Sequence, residues 1–308
     1  MIQLMSVVVS GRNDASHLRN VFNSIRKINL TYEIIYFDLN STDDSLDIAK
    51  RYADRVYEFD KEGYVHHSSG RWSGTILANF DWVLYLDANM VLREEFIEFI
   101  NSRAFTKSRG LAGFVGKYTQ ILIDDKNSGL HRIETSYNKL APFEGALLAQ
   151  KEKILRAGNW NPSVESYGEV DLHARILKLG LKVEELSIPM VTQRFNKHFE
   201  SRRFIEKFFP TNHKFFGFGQ LLVSQFIYTS LPYFFLLNPF PYLIFMSLMH
   251  LALYGEAFSW VALGLVYGSI LIFKGPVFFL IHNLEVIRGI TGIFTYSRKR
   301  PIYRLVDQ

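Results

Sequence analysis

The sequence predicts an α/β fold: a doubly wound, mostly parallel sheet over residues 1–214, followed by a hydrophobic helical region over 215–308. Three observations carry this expectation. Short β-branched runs alternate with segments of helical period. The apolar runs end on Asp, Asn or Ser rather than fading into charge. Composition then shifts near Lys214, from mixed and polar to rich in Phe, Leu, Ile and Tyr.

The elements follow in order. "LMSVVVS" at 4–10 is short, β-branched and uncharged, as a buried parallel strand requires. In "HLRNVFNSIRKI", Leu18, Val21, Phe22 and Ile25 recur at helical spacing, with Asp14 or Ser16 placed to cap. "YEIIYFDL" at 32–39 is a second strand, and "NSTDDS" leads into a helix entered from Asp43 or Asp44. "ADRVYEFD" supplies a third, short strand, and "SSGRWSGTILANF" passes through a helix to "DWVLYLD". Strands and helices alternating across short loops are the mark of a parallel sheet. No G-x-G-x-x-G follows the first strand, and neither a Walker A sequence nor H-E-x-x-H occurs. Dinucleotide, P-loop and zincin chemistry are therefore disfavoured.

"WVLYLDANMVL" at 82–92 ends a buried run on two short polar side chains, Asp87 and Asn89. On a continuing strand both would face one way, into the crevice that ligands use at the carboxyl ends of such sheets. Two oxygen-bearing side chains there could hold Mg²⁺ or Mn²⁺, and through it a diphosphate. A plain turn explains the same residues.

Beyond Lys214, uncharged runs occupy 220–237, 241–254 and 257–273. Each is at or below the roughly 20 apolar residues that a membrane-crossing helix needs. Joined across Asn238 and Pro239 they are long enough, with a break at the proline. Arg202, Arg203, Lys207 and Lys214 precede them, and the basic tail "SRKRPIYR" follows. Basic residues on both flanks place both ends on the cytoplasmic side of an inner or plasma membrane, most simply with two crossings. Helices lying in the interface, or a buried helical subdomain, are the other readings. The net charge of +5 suits an anionic membrane surface. The basic residues flank apolar runs and form no stripe, which disfavours a nucleic-acid partner. With no cysteine, the chain can form neither a disulfide nor a thiolate metal site. The first residues lack a charged segment ahead of their apolar run and read as a strand rather than a cleavable signal.

Taken in order, "SVVVSGRNDASHLRNVFNSI", "YEIIYFDLNSTDDSLDIAKRYADRV" and "GRWSGTILANFDWVLYLDANMVL" resemble the family-two inverting glycosyltransferases of the GT-A fold, over roughly residues 4–200. The resemblance implies that the loop after the first strand, with Ser10, Arg12 and Asn13, lies near a nucleotide. It aligns Asp38-Leu39-Asn40-Ser41-Thr42-Asp43 with the family's Asp-x-Gly-Ser-Thr-Asp stretch, Gly70-Arg71-Trp72 with Ala-Arg-Asn, and Asp87-Ala88-Asn89 with the Asp-x-Asp metal motif. Asp38, Asn40, Arg71 and Asp87 are thereby expected at a nucleotide of UDP or dTDP type. A carboxylate such as Asp38 can accept a base N–H, and Arg71 offers a fork to phosphate oxygens. Two positions depart from the pattern. Leu39 replaces the second acid of the uridine loop, and Asn89 replaces the second metal-binding Asp, with Asp43 a candidate to compensate. An amide oxygen carries no charge, so the expected Mg²⁺ or Mn²⁺ site is weakened.

Further on, "NWNPSVESYGEVDLHARILKLGLKV" resembles the family's acceptor-side segment. Glu169 takes the position of the catalytic base and Asp171 that of the second acid; helix capping explains both equally well. Glu144, Gly145 and Trp160 fall where the family lines its sugar and acceptor pocket, Trp160 being equally suited to core packing. Gln193, Arg194 and His198 are weaker candidates for diphosphate contacts. The resemblance thus implies an inverting transferase moving a sugar from a nucleotide-diphosphate sugar to a lipid-linked glycan or other membrane-proximal acceptor. A polyprenyl-phosphate acceptor is the nearest variant, and a catalytically silent nucleotide-binding scaffold the rival of another class.

Overall fold

The computed structural model describes residues 4–60, 65–123, 130–135, 143–164, 167–196, 220–224, 239–255, 260–261, 263–268 and 301–306. Four strands come first: β1 (Leu4–Gly11), β2 (Thr31–Asp38), β3 (Arg55–Phe59) and β4 (Trp82–Asp87), linked by α1 (Ala15–Ile25), α2 (Ser45–Lys50) and α3 (His67–Leu77). Each crossover contains a helix, so the strands pair in parallel, in the spatial order β3, β2, β1, β4. The β-branched composition of β1 fits its place between two neighbours: Val7 lies level with Ile34 on one side and Leu84 on the other. The same registers bring three carboxyl ends together, Gly11 beside Asp38 and Ser10 beside Asp87.

The second half is built differently. It comprises β5 (Met90–Leu92), α4 (Glu94–Asn101), β6 (Leu111–Ile123), β7 (Leu130–Thr135), β8 (Leu147–Gln150), α5 (Lys151–Arg156), α6 (Gly168–Lys178) and β9 (Lys182–Asn196). Here β4 continues through β8, β6, β9 and β5, while β7 hangs on β6. Of the strand pairings among the described residues, four are parallel and five antiparallel. The sheet is therefore mixed, and the expected mostly parallel character holds only for its first four strands.

Helix α1 buries Leu18, Val21, Phe22 and Ile25, the stripe that the sequence spacing marks, and Phe22 stacks on Tyr52 at 5.3 Å between centroids. Side chains of this size contribute roughly 1.5–3 kcal/mol each on full burial. Helix α3 presents an unusual inner face, with Ser68, Ser69, Gly70, Arg71, Ser73, Gly74 and Thr75 all buried. Its small residues bring the helix backbone close to the sheet and carry one arginine inside with them.

Two pieces from beyond residue 214 join this body. Gln220, Leu221 and Ser224 are buried, and the Ser224 hydroxyl donates to Asp171 Oδ1 at 2.6 Å. At the other end β10 (Tyr303–Leu305) pairs antiparallel with β3 and covers that sheet edge. Tyr303 meets Phe37, Tyr57 and Phe59 edge-on, and Arg304 of the basic tail pairs with Glu58. The boundary expected near 214 thus does not confine the sheet to the residues before it.

Helix α7 (Pro239–Tyr254) carries no charge. Its 16 residues span about 24 Å, short of a bilayer's hydrocarbon core of roughly 30 Å. Among the described residues no helix is long and apolar enough to cross a membrane. Residues 225–237 of the first uncharged run and 257–259, 262 and 269–273 of the third, with Arg202, Arg203, Lys207 and Lys214, lie outside the described residues.

Candidate active site

Asp87 is the last residue of β4, and its carboxylate stands at the carboxyl edge of the sheet. From α3, His67 and Arg71 reach it together, because residues four apart share a helix face. Arg71 donates through Nη2 to Asp87 Oδ1 at 2.6 Å, and His67 Nδ1 lies 3.1 Å from the same oxygen. His67 Nδ1 also meets the Ser10 hydroxyl at 3.2 Å. The other nitrogen of the fork, Arg71 Nη1, donates to Glu169 in the first turn of α6. The guanidinium lies over Trp160, 4.8 Å from the ring centroid, and only 1 % of Arg71 is exposed. One buried cation therefore bridges two carboxylates that are 82 residues apart in sequence (87 and 169).

The electrostatics follow from this geometry. Burial alone would raise the Asp87 carboxyl, but Arg71 and His67 outweigh it and hold the group well below the usual carboxylate range. Burial alone would lower Arg71; Asp87 and Glu169 reverse that and keep it firmly charged. Asp14, beside this cluster, is pushed up to about 6, first by burial and then by Asp87 and Asp43 against the relief from Arg12 and His67. His66 is pushed down to about 4, chiefly by burial and next by His67.

Close approach shapes the crevice at two glycines. Gly145 sits at φ +76 and accepts the Asp87 N–H at 3.1 Å. A Cβ there would stand 2.4 Å from Asp87 Oδ2, inside contact distance. Gly168 opens α6 against α3, where a Cβ would meet Ser68 Oγ at 2.1 Å. Any side chain at either position would push apart the elements that carry the carboxylates.

The loops after β1 and β2 are knitted to one another. Asn13 and Asn40 take left-handed backbone, at φ 59 and 61, which asparagine tolerates. Asn13 Oδ1 accepts from Thr42 N at 2.7 Å, and Asn13 N donates to Ser41 Oγ at 3.1 Å. Arg12 is exposed, and its backbone N–H donates to Asp14. Asp38 closes its own loop by accepting from Ser41 N at 2.7 Å, while Oδ1 is met by Tyr36 Oη at 3.5 Å. Burial pushes the Asp38 carboxyl up despite the Ser41 contacts. Asn40 Oδ1 is buried without a partner among the described residues, and a base N–H is the kind of group that would satisfy it.

Several expectations change on contact with the structure. Asp87 and Asn89 do not share a strand face, because β4 stops at Asp87 and the chain turns through Ala88 and Asn89 before β5. Asn89 Oδ1 instead accepts from Gln193 Nε2 at 2.9 Å. Asp43 accepts from Ala15 N and Ser45 N, binding the two loops rather than completing a metal shell. Among the described residues no group of three metal-ligating side chains forms. The donor set therefore does not fit a preformed metal cage; Asp87 stands alone, with one oxygen already held by Arg71 and His67.

Asp171 is fully buried, paired with Arg175 at 2.5 Å through Oδ2 and bonded to Ser224 through Oδ1. Both oxygens serve the packing of α6, and the residue does not face the crevice. Trp160 is likewise 1 % exposed, edge-on to Tyr85 and Phe143, so its ring stacks under Arg71 and not on an acceptor. Glu144 is exposed one residue before Gly145. The side chain of Arg194 and the whole of His198 lie outside what is described. Sequence reasoning missed His67 and Asp14 as parts of this cluster. The four-residue spacing of His67 and Arg71 on one helix was the available signal for the first.

A mixed α/β sheet with carboxylates gathered at its strand ends, beside a helix that opens on Glu169, places them where ligands bind in open α/β sheets. Residues 6–143 match the family described as Glycosyl transferase family 2. A relative in Rickettsia bellii, an uncharacterized glycosyltransferase, is 30% identical over 138 residues, 44% of this chain and 44% of its own. Another, in Rickettsia conorii, is 28% identical over 142 residues, 45% of this chain and 47% of its own. The chain thus spans less than half the length of the curated relatives it matches. Among solved structures, a mannosyltransferase from Pyrobaculum calidifontis, in complex with GDP-Man and Mn²⁺, has a TM-score of 0.53 at 15% identity, covering 95% of this chain and 88% of that one. Glucosyl-3-phosphoglycerate synthase from Mycobacterium tuberculosis, with Mn²⁺, UDP and glucosyl-3-phosphoglycerate, has a TM-score of 0.50 at 16% identity, covering 72% and 80%. At these identities the likeness is one of fold.

Proposed function

We propose that this protein transfers a sugar from a nucleotide-diphosphate sugar to a hydroxyl acceptor held at a membrane, with inversion at the anomeric carbon. The observation that carries the reading is the Arg71 bridge between Asp87 and Glu169. It places a strand-end carboxylate, a phosphate-seeking guanidinium and a base candidate around one crevice. Glu169 takes the proton of the acceptor hydroxyl, the acceptor oxygen bonds to the anomeric carbon, and the bond from that carbon to the diphosphate breaks. The nucleoside diphosphate leaves with the bonding electron pair, and Arg71 stands where that developing charge is met. The family match over residues 6–143 supports sugar transfer as the reaction class.

A divalent cation, Mg²⁺ or Mn²⁺, belongs to the proposal as a companion of the diphosphate. Asp87 supplies one protein ligand at most, so the cation's affinity for the free protein is low. UDP and dTDP are the nucleotides the Asp38 loop is read to fit. Membrane contact rests on the apolar tract. Met246, Met249, Leu253 and Tyr254 on α7, with Trp260 and Leu265 beyond it, are exposed large apolar side chains. A charge-free helix that is apolar on every side, with large side chains left exposed, presents a surface that lipid would cover.

The test is thermal unfolding against a panel of nucleotide sugars, with and without Mn²⁺, followed by assay of free nucleoside diphosphate. Ligand at a hundredfold its Kd stabilises by about 2.7 kcal/mol. Stabilisation without release of nucleoside diphosphate favours the silent scaffold. Stabilisation by none of them removes the donor reading.

A further inference from the structure

Behind the Asp87 turn lies a cavity of about 640 Å³, walled by α1, the corner between β5 and α4, and the strands β6 and β9. It falls in the size range of small-ligand sites. Helix α1 turns His17, Asn20 and Asn23 toward it. These lie opposite the buried face of Leu18, Val21, Phe22 and Ile25.

The lining chemistry is selective. Its cations are matched by carboxylates: Lys27 pairs with Glu94, and Arg93 meets Glu95 at 3.4 Å. Such a wall has no net charge to offer a phosphate or a cation. What remains is a set of amides, a histidine, a serine and a threonine over the apolar patches of Val91, Leu92 and Ile121, with Arg93 Nε buried and unbonded among the described residues. Each amide presents donors and an acceptor together. Asn89, on the wall, spends its oxygen on Gln193, and its NH₂ has no partner among the described residues. The Thr192 hydroxyl, in a residue only 8 % exposed, is out of water and also without a partner there. Buried polar atoms in that state gain from any ligand group that reaches them.

We propose that this cavity binds the neutral, hydroxyl-rich part of a glycan acceptor. Paired donors and acceptors beside apolar patches match the alternating hydroxyls and C–H faces of a sugar. Asn89, on the cavity wall, follows Asp87 by two residues, so the turn after β4 separates the cavity from the crevice. The inference rests on the sugar-transfer reading for its purpose, and it selects a glycan over a polyprenyl phosphate as the acceptor class.

The experiment is saturation-transfer NMR on the full chain with maltotriose, chitotriose and mannotriose at millimolar concentration. Inorganic pyrophosphate serves as the anionic probe, and UDP and GDP as nucleotide probes. Asn20→Trp and Asn23→Trp fill the cavity from an exposed helix face and spare the core. At least one trisaccharide is expected to bind and to weaken roughly tenfold or more in both variants, with nucleoside diphosphate binding unchanged. The proposal is overturned if no trisaccharide binds, if binding survives both variants, or if pyrophosphate is the probe they displace. Trisaccharide binding lost in both variants, with no nucleotide binding to the wild type, upholds the cavity and removes the transfer reading.

Discussion

Replacing Arg71 with methionine separates the stabilising role of the bridge from its chemistry. The guanidinium is 2 % exposed as a side chain, and its partners Asp87 and Glu169 are 16 % and 25 % exposed. Removing the cation leaves two carboxylates without their shared partner, and Asp87 with only His67 beside it. Breaking one partner out of a buried pair costs about 3–5 kcal/mol. For a domain of this size, that corresponds to roughly 6–20 °C in Tm. The pH dependence has a definite sign. The folded Asp87 carboxyl titrates below its unfolded value, so its contribution is fully present above about pH 4 and is lost as pH falls through the folded value. The gap between wild type and Arg71→Met should therefore be widest near neutrality and shrink in acid. Thermal unfolding by circular dichroism across pH 3–8 measures it. A variant within about 1 kcal/mol of wild type at pH 7 would refute the claim that this bridge organises the crevice, since exposed pairs are worth no more than that.

Four further outcomes follow from the same geometry. Glu169→Gln should keep nucleotide binding and lower turnover by about a hundredfold or more, read from nucleoside diphosphate release; near-normal turnover would remove it as the base. Asp14→Asn should raise Tm at pH 7, because a carboxyl pushed up to about 6 stabilises the fold below pH 4 and loses that contribution as pH rises through 6; equal Tm values at neutrality would contradict its placement. His66, pushed down to about 4, acts with the opposite slope: stability should fall as pH drops from 6.5 toward 4, and His66→Asn should flatten that limb in a pH series of urea melts. A fragment ending at Lys214 should unfold at lower temperature than the full chain, since it loses the Ser224 bond to Asp171 and the β10 cover of β3; equal melting would show those contacts to be idle.

The parts of the site that the sequence disclosed are those where local rules and position coincide. Asp38 and Asp87 end apolar strands, and Glu169 opens a helix; each is a place where a polar side chain needs a reason. Arg71 was visible through resemblance, but its burial was not, because nothing local says that Ser68, Gly70 and Gly74 turn inward with it. Trp160 and Asp171 were ambiguous for a physical reason. An aromatic ring or a helix-start carboxylate serves core and ligand equally, and only the neighbours that fill its contacts decide. Asn89 was misplaced by one assumption, that the strand continues past Asp87. The pairing of Tyr303–Leu305 with β3 is long-range and three residues long, too brief to leave a periodic signature.

That terminal strand has a mechanical consequence. Ser224 is hydrogen-bonded to the helix that carries Glu169, and Tyr303 is stitched into the far edge of the same sheet. The later part of the chain is thus tied to the body by two seams and not by one. A single seam would act as a swivel and let the crevice point anywhere. Two seams define a hinge line, and the carboxyl edge of the sheet that carries Asp87 keeps a constant bearing to it.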